Sequence, residues 1–175
     1  MGVCNGDIIC RKCTHGGLRI LGCWHFGIYA SGWVSSSVIH YFGESGSDAE
    51  IKETDFNTFM DGESQYLILR ISGSSWLNKK VERIPGHAFA AGLFQDLSDN
   101  DWKVQSMKDL FQDKMTIYSP AETFTRARSR IGEKQWSGPW NNCEHFAMWC
   151  KTGLSRSDQV EALYKKLMEV ALEAA

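Results

Sequence analysis

The sequence predicts an α+β domain: an antiparallel sheet drawn from the N-terminal half, packed with helices from the C-terminal half. Short apolar segments bounded by Gly and Ser clusters fill the first half, the pattern of strands joined by turns. Clear helix signals, with caps and 3.6-residue stripes, come only after residue 118. Strands first and helices last is the order of an α+β domain. The 175 residues fit one such domain, at ~100–200 residues per domain.

The first strands fall at residues 6–10, 23–30 and 37–41, separated by clusters such as His15-Gly16-Gly17 and Ser31-Gly32. Tyr66-Leu67-Ile68-Leu69-Arg70-Ile71 is a run of strand length, and residues 80–84 alternate polar with apolar before Pro85-Gly86. From 94 to 114 acidic and amide residues multiply, marking a surface excursion with a short helix near 106–111. Ser119-Pro120-Ala121-Glu122 then opens a helix with a capping-box pair and Pro at its first position; that helix runs through 123–131 and stops at Gly132. A second begins at Cys143 behind Asn142 and ends at Gly153. A third, residues 157–172, puts Val160, Leu163, Tyr164, Leu167, Val170 and Ala171 on one stripe, with Glu161 and Lys165 as an i, i+4 pair opposite. Residues 6–153 make the domain, and 154–175 form an amphipathic helix packed on it or appended to it.

Composition narrows the function. Nineteen Lys+Arg against twenty-one Asp+Glu give a net charge of −2. With no basic excess to neutralise phosphates, a nucleic-acid binder is not expected. The longest apolar-or-Gly run, residues 88–94, falls far short of the ~18 residues of a membrane span. The start of the chain does not read as a secretory signal. The expected setting is therefore cytoplasmic, with membrane contact at most peripheral. Four of the six cysteines crowd into the first twenty-three positions, unlike a secreted disulfide scaffold, so all six are read as reduced thiols. Cys10, Cys13 and His15 could supply three zinc ligands, but no second Cys pair stands at finger spacing. That stretch reads as an exposed turn, and no metal or cofactor is expected.

The chemistry concentrates on three residues. Cys143 opens a helix, where free backbone N–H groups and the positive end of the dipole favour a thiolate. Cys150, in the helix body, reads as an apolar filler. His25 and His40 lie in consecutive strands, so a hairpin would bring their imidazoles to one face. One could take the thiol proton while the other fixes its tautomer. His145, two residues beyond Cys143, points away from it and reads as structural.

Asn142-Cys143-Glu144-His145-Phe146, with Ala127-Arg128-Ser129-Arg130-Ile131-Gly132-Glu133 before it and Trp149-Cys150-Lys151-Thr152-Gly153 after it, resembles the lecithin:retinol acyltransferase (LRAT) domain. Gly6-Asp7-Ile8-Ile9, His25-Phe26-Gly27-Ile28-Tyr29 and Val38-Ile39-His40 extend the resemblance in the family's order. It implies a circularly permuted papain-like core, with Cys143 as nucleophile, His25 as base and later acid, and His40 as the residue that orients His25. The implied activity is acyl transfer from a glycerophospholipid or other acyl ester, through a thioester on Cys143, to water, an alcohol or an amine, without a cofactor.

The chain also departs from that family. Where many members have a tyrosine seven residues before the nucleophile, able to stabilise an oxyanion, this chain has Trp136. The two histidines stand fifteen residues apart, with a lengthened turn between them. Two other functions stay open at this stage: a non-catalytic LRAT-like interaction protein, viral or cellular, and a cysteine peptidase or amidase.

Overall fold

The computed structural model describes residues 3–13, 23–32, 35–43, 48–72, 80–85, 116–138, 140–157 and 160–161. The strands are β1 (Ile8–Lys12), β2 (Trp24–Ser31), β3 (Ser36–Phe42), β4 (Glu50–Asp55), β5 (Leu67–Ser72) and β6 (Lys80–Pro85). The helices are α1 (Phe56–Met60), α2 (Pro120–Ser129) and α3 (Cys143–Thr152). The strands form one antiparallel sheet in the order β4-β3-β2-β1-β5-β6. The α+β expectation holds.

Both faces of this sheet are covered, which is why β1 and β5 read as apolar runs rather than as alternation. Ile8, Cys10, Trp24, Phe26, Ile28, Ile39, Tyr41 and Leu69 point to the face carrying Ala127 of α2 and Phe146, Ala147, Met148 and Cys150 of α3. The intervening residues Ile9, Tyr29, Val38 and Ile68 face the other way, against Phe59 and Met60 of α1. Period-2 alternation thus survives in space, with two apolar faces instead of one.

Strand β4 and helix α1 have no counterpart in the sequence reading. Strand β4 reads Glu-Ile-Lys-Glu-Thr-Asp and carries a single buried apolar residue, Ile51. As the last strand in the order, it has little apolar pattern to reveal it. Helix α1 is only five residues long, capped by Asp55, whose side chain accepts from the Thr58 N–H. Helix α2 has the expected capping box but ends at Ser129, two residues early. The chain leaves the helix because Gly132 N–H donates to the Ile51 carbonyl and Ile51 N–H donates to the Glu133 carbonyl. Those β4 contacts replace the next helical turn. The excursion at 94–114, with its short helix, lies outside the described residues, as do His15 and His87. Of the third helix only its opening is described: Ser157 Oγ accepts from Val160 N–H at 3.2 Å, as an N-cap does.

The cysteine reading needs correcting. Cys10 is not in an exposed turn but fully buried in β1. Cys13 and Cys23 are not reduced thiols; they form a disulfide across the end of the β1–β2 pair, with Cα atoms 5.4 Å apart. Extending the Arg11↔His25 and Lys12↔Trp24 register by one residue sets them opposite each other, so strand pairing made the pair that linear spacing did not show. The bridge closes a sequence separation of 10, so removing it by Cys13→Ala with Cys23→Ala should cost ~3 kcal/mol. Calorimetry should show Tm falling by ~6–12 °C; an unchanged Tm would show that the bridge adds no stability.

Candidate active site

The site is built at the start of α3. Asn142 is the N-cap: its Oδ1 accepts from the Glu144 N–H at 2.9 Å and the His145 N–H at 3.1 Å. His145 returns the contact, its Nδ1 accepting from the Asn142 N–H at 3.4 Å. This is a capping box with imidazole in the place of the usual carboxylate. Burial pushes His145 down to about 4, so Nδ1 keeps the lone pair the cap needs. Glu144 turns into the protein, where its carboxylate accepts from Ser157 Oγ at 2.5 Å. Gly153 ends the helix at φ 77, a left-handed position that glycine occupies without strain. Asn-Cys-Glu-His therefore spells cap, helix start, buried anchor and reciprocal cap, and it leaves Cys143 at the first helical position.

Loop 133–142, which delivers that start, is itself tied down. Tyr41 Oη donates to Glu133 Oε1 at 2.7 Å, and Asn141 Nδ2 donates to the Gln135 carbonyl at 2.8 Å and to Tyr41 Oη at 3.0 Å. Arg130 also pairs with the Glu133 carboxylate. Trp136 is half-buried against the sheet–helix core, packed over Gly138, and among the described residues its indole N–H makes no hydrogen bond.

The two histidines meet. His25 Nε2 and His40 Nδ1 are 2.8 Å apart, with the ring planes near perpendicular. Both rings pack on Phe59 of α1, at centroid distances of 5.5 and 5.2 Å. Gly27 makes the approach possible, since a Cβ there would stand 2.4 Å from Val38 Cγ1 and 3.2 Å from His40 Cβ. On its far side His40 Nε2 lies 2.9 Å from Thr54 Oγ1 of β4, whose hydroxyl donates to the Asp55 carbonyl at 3.3 Å. Sequence reading missed Thr54 because it missed the strand carrying it.

Cys143 meets the strand that carries His25. The β2–β3 register runs from Ser31↔Ser36 to Ile28↔Ile39, and the start of α3 packs against the earlier half of β2. There the thiol donates to the Trp24 carbonyl at 3.8 Å and receives the Phe26 N–H. These two groups flank His25 in the chain. The thiol's hydrogen bond thus runs to the strand backbone rather than to an imidazole nitrogen. Catalytic contacts in unliganded sites are often long and tighten on substrate binding.

At neutral pH the thiol and both imidazoles are uncharged. Burial pushes the Cys143 thiol up to about 11; the Phe26 N–H opposes this and the Glu144 carboxylate adds to it. The helix start was expected to favour a thiolate, but desolvation of the sulfur outweighs the dipole. His25 is held well below the ordinary imidazole range, first by burial, then by His40 and Arg11. His40 falls to about 4, mainly by burial and with Arg11 adding to it, although the Tyr41 carbonyl 3.0 Å from Nδ1 works the other way. Among the described residues no group of three His, Cys, Asp or Glu side chains could hold a metal ion.

A thiol at a helix start thus lies against a strand whose histidine is hydrogen-bonded to a second. A profile of the lecithin retinol acyltransferase family matches residues 9–156, a span that includes Cys143, His25, His40 and Trp136. The chain belongs to that family. Lecithin retinol acyltransferase of Mus musculus is 28% identical over 85 residues, 49% of this chain. That match spans 32% of the mouse protein's length. No solved structure matches the chain.

Proposed function

We propose that this protein is a thiol-dependent acyltransferase or phospholipase A-type hydrolase acting on glycerophospholipid acyl esters, built on a permuted papain-like arrangement. The observation that carries this reading is the hydrogen-bonded His25–His40 pair, placed where the Cys143 thiol touches the backbone on both sides of His25.

This chemistry requires one tautomer of the pair, in which His40 Nδ1 accepts from His25 and gives up its contact with the Tyr41 carbonyl. With His25 Nε2–H donating to His40 Nδ1, and His40 Nε2–H donating to Thr54 Oγ1, the lone pair of His25 Nδ1 is left to act as base. His25 takes the thiol proton as sulfur attacks the ester carbonyl. The tetrahedral intermediate then collapses, the C–O bond breaks, and His25 returns that proton to the departing lysophospholipid oxygen. The thioester left on Cys143 passes its acyl group to water, an alcohol or an amine, with His25 deprotonating the acceptor and protonating the sulfur. Because the resting pair is neutral, the thiolate forms during attack rather than before it.

Peripheral membrane contact fits the surroundings of the site. Trp140, three residues before the nucleophile, is 72% exposed, and Phe42, whose ring is 5.9 Å from that of His40, is 41% exposed. An indole with one apolar and one polar side suits a lipid headgroup boundary. No helix among the described residues is long and apolar enough to cross a membrane.

Phospholipid vesicles with a labelled amine test the proposal. Released lysolipid or N-acylated amine supports it. Lipid silence overturns it: with a partner retained in pull-down it favours an interaction protein, and with peptide cleavage a peptidase. Trp136 carries its own prediction. Its unengaged indole N–H and its packing favour a structural role, leaving the Cys143 backbone N–H to stabilise the oxyanion. Single-turnover acylation by Trp136→Phe should therefore change less than about tenfold. A well-aimed oxyanion donor would instead cost ~10²–10³-fold, and a loss of that size at unchanged Tm would make Trp136 catalytic.

A further inference from the structure

Arg11 is a buried charge on the face of the sheet that carries both histidines. It pairs across β1–β2 directly with His25, so the two side chains leave the sheet on the same face, with Cβ atoms ~5 Å apart. Only 8% of Arg11 is exposed. Its guanidinium is fixed by hydrogen bonds from Nε to the Phe59 carbonyl at 2.5 Å and from Nη1 to the Lys12 carbonyl at 2.8 Å. It also lies 5.8 Å from the centroid of the Phe59 ring on which both histidines pack. Asp61, 40% exposed, lies 3.4 Å from Nη2.

We propose that Arg11 is an electrostatic positioning residue of this site: an anchored cation beside His25 whose field favours the Cys143 thiolate, with Asp61 setting the strength of that field. The proposal rests on the Cys143–His25–His40 reading and adds a charge that the reading did not contain. Arg11 interacts electrostatically with all three members. Among the described residues the other groups facing them are His40 on β3, Asp61 and Glu63 after α1, and Glu144 on α3. Both carboxylates after α1 oppose the field at Arg11, and Glu144 opposes the thiolate directly. Among the described residues Arg11 is a cation that works in its favour.

A test independent of any lipid substrate is the rate at which iodoacetamide alkylates Cys143, followed by peptide mapping at pH 8–9. That range lies below the thiol's midpoint, so the rate tracks the thiolate fraction, and a half-unit shift reads as about threefold. Arg11→Met should slow alkylation at least about threefold, while Arg11→Lys should stay near wild type. Asp61→Asn should quicken it about twofold or more; Asp61 sits at φ 49 after α1, a conformation that Asn tolerates, so the turn is kept. A residue that only staples α1 to the sheet predicts the opposite for Arg11→Met, because loosened packing wets the thiol and speeds alkylation. Faster alkylation in Arg11→Met, or an Asp61→Asn rate at or below wild type, overturns the proposal. If the opposed shifts appear while vesicles give no acyl transfer, the electrostatic role of Arg11 stands and the lipid substrate falls.

Discussion

Cys143→Ala should remove acyl transfer altogether, a loss of ~10⁴-fold or more of the kind seen when a nucleophile is deleted from a working triad. The fold should survive, because the helix start is held by Asn142, Glu144 and His145, none of which uses the thiol. Alanine is also a strong helix former. Intact-mass measurement after exposure to phospholipid should show an acyl adduct on the wild type that hydroxylamine releases, and none on Cys143→Ala. An adduct on the alanine protein would move the nucleophile elsewhere. The free cysteines to examine next would be Cys4, Cys10 and Cys150, of which only Cys4 is exposed.

The two histidines should separate. His25→Ala removes the base, and general acid–base catalysis is worth ~10²–10⁴-fold, so activity should fall by that much. His40→Gln should fall only about tenfold, the value of one modest hydrogen bond. The reason lies in charge: His40 falls to about 4, so at neutral pH it is uncharged, and in the proposed tautomer it accepts from His25. An amide oxygen replaces an uncharged acceptor without losing an ion pair, unlike the aspartate-to-asparagine change in serine proteases. The amide nitrogen can also keep the contact with Thr54. Single-turnover acylation of both variants measures the difference. Equal and complete loss would mean that His40 does more than orient its neighbour. Thr54→Val, which keeps the shape of β4 but deletes the hydroxyl, should resemble His40→Gln in size.

Much of this was legible because it is local. Pro120 behind Ser119, with Glu122 three residues on, is a helix start wherever it occurs, since the capping groups lie within one turn of each other. Asn142-Cys143 and Gly153 bracket α3 for the same reason, and the five predicted strands carry their apolar runs on their face. The histidine pair was legible at one remove: two His residues in consecutive antiparallel strands can share a face, and sequence leaves only the register undecided. What failed depended on partners distant in the chain. Strand β4 holds one buried apolar residue, and α2 stops early because Gly132 and Glu133 bond to Ile51, some eighty residues back. Cys13 and Cys23 looked like unpaired thiols until the β1–β2 register set them opposite each other.

The sequence by itself determined the fold class, the three residues on which the chemistry is proposed to rest and the membership that the family profile bears out. These follow from short-range patterns: cap, period and motif. Tertiary structure alone decided the protonation of the site. A helix start favours a thiolate by way of its dipole, a property readable from position 143. Packing that start against β2 strips water from the sulfur, and desolvation, which no local pattern encodes, raises the thiol to about 11. The same burial keeps both imidazoles neutral and sets Arg11 beside His25. Charge in a protein depends on what surrounds a group, and the surroundings here come from strands and helices that meet only when the chain has folded.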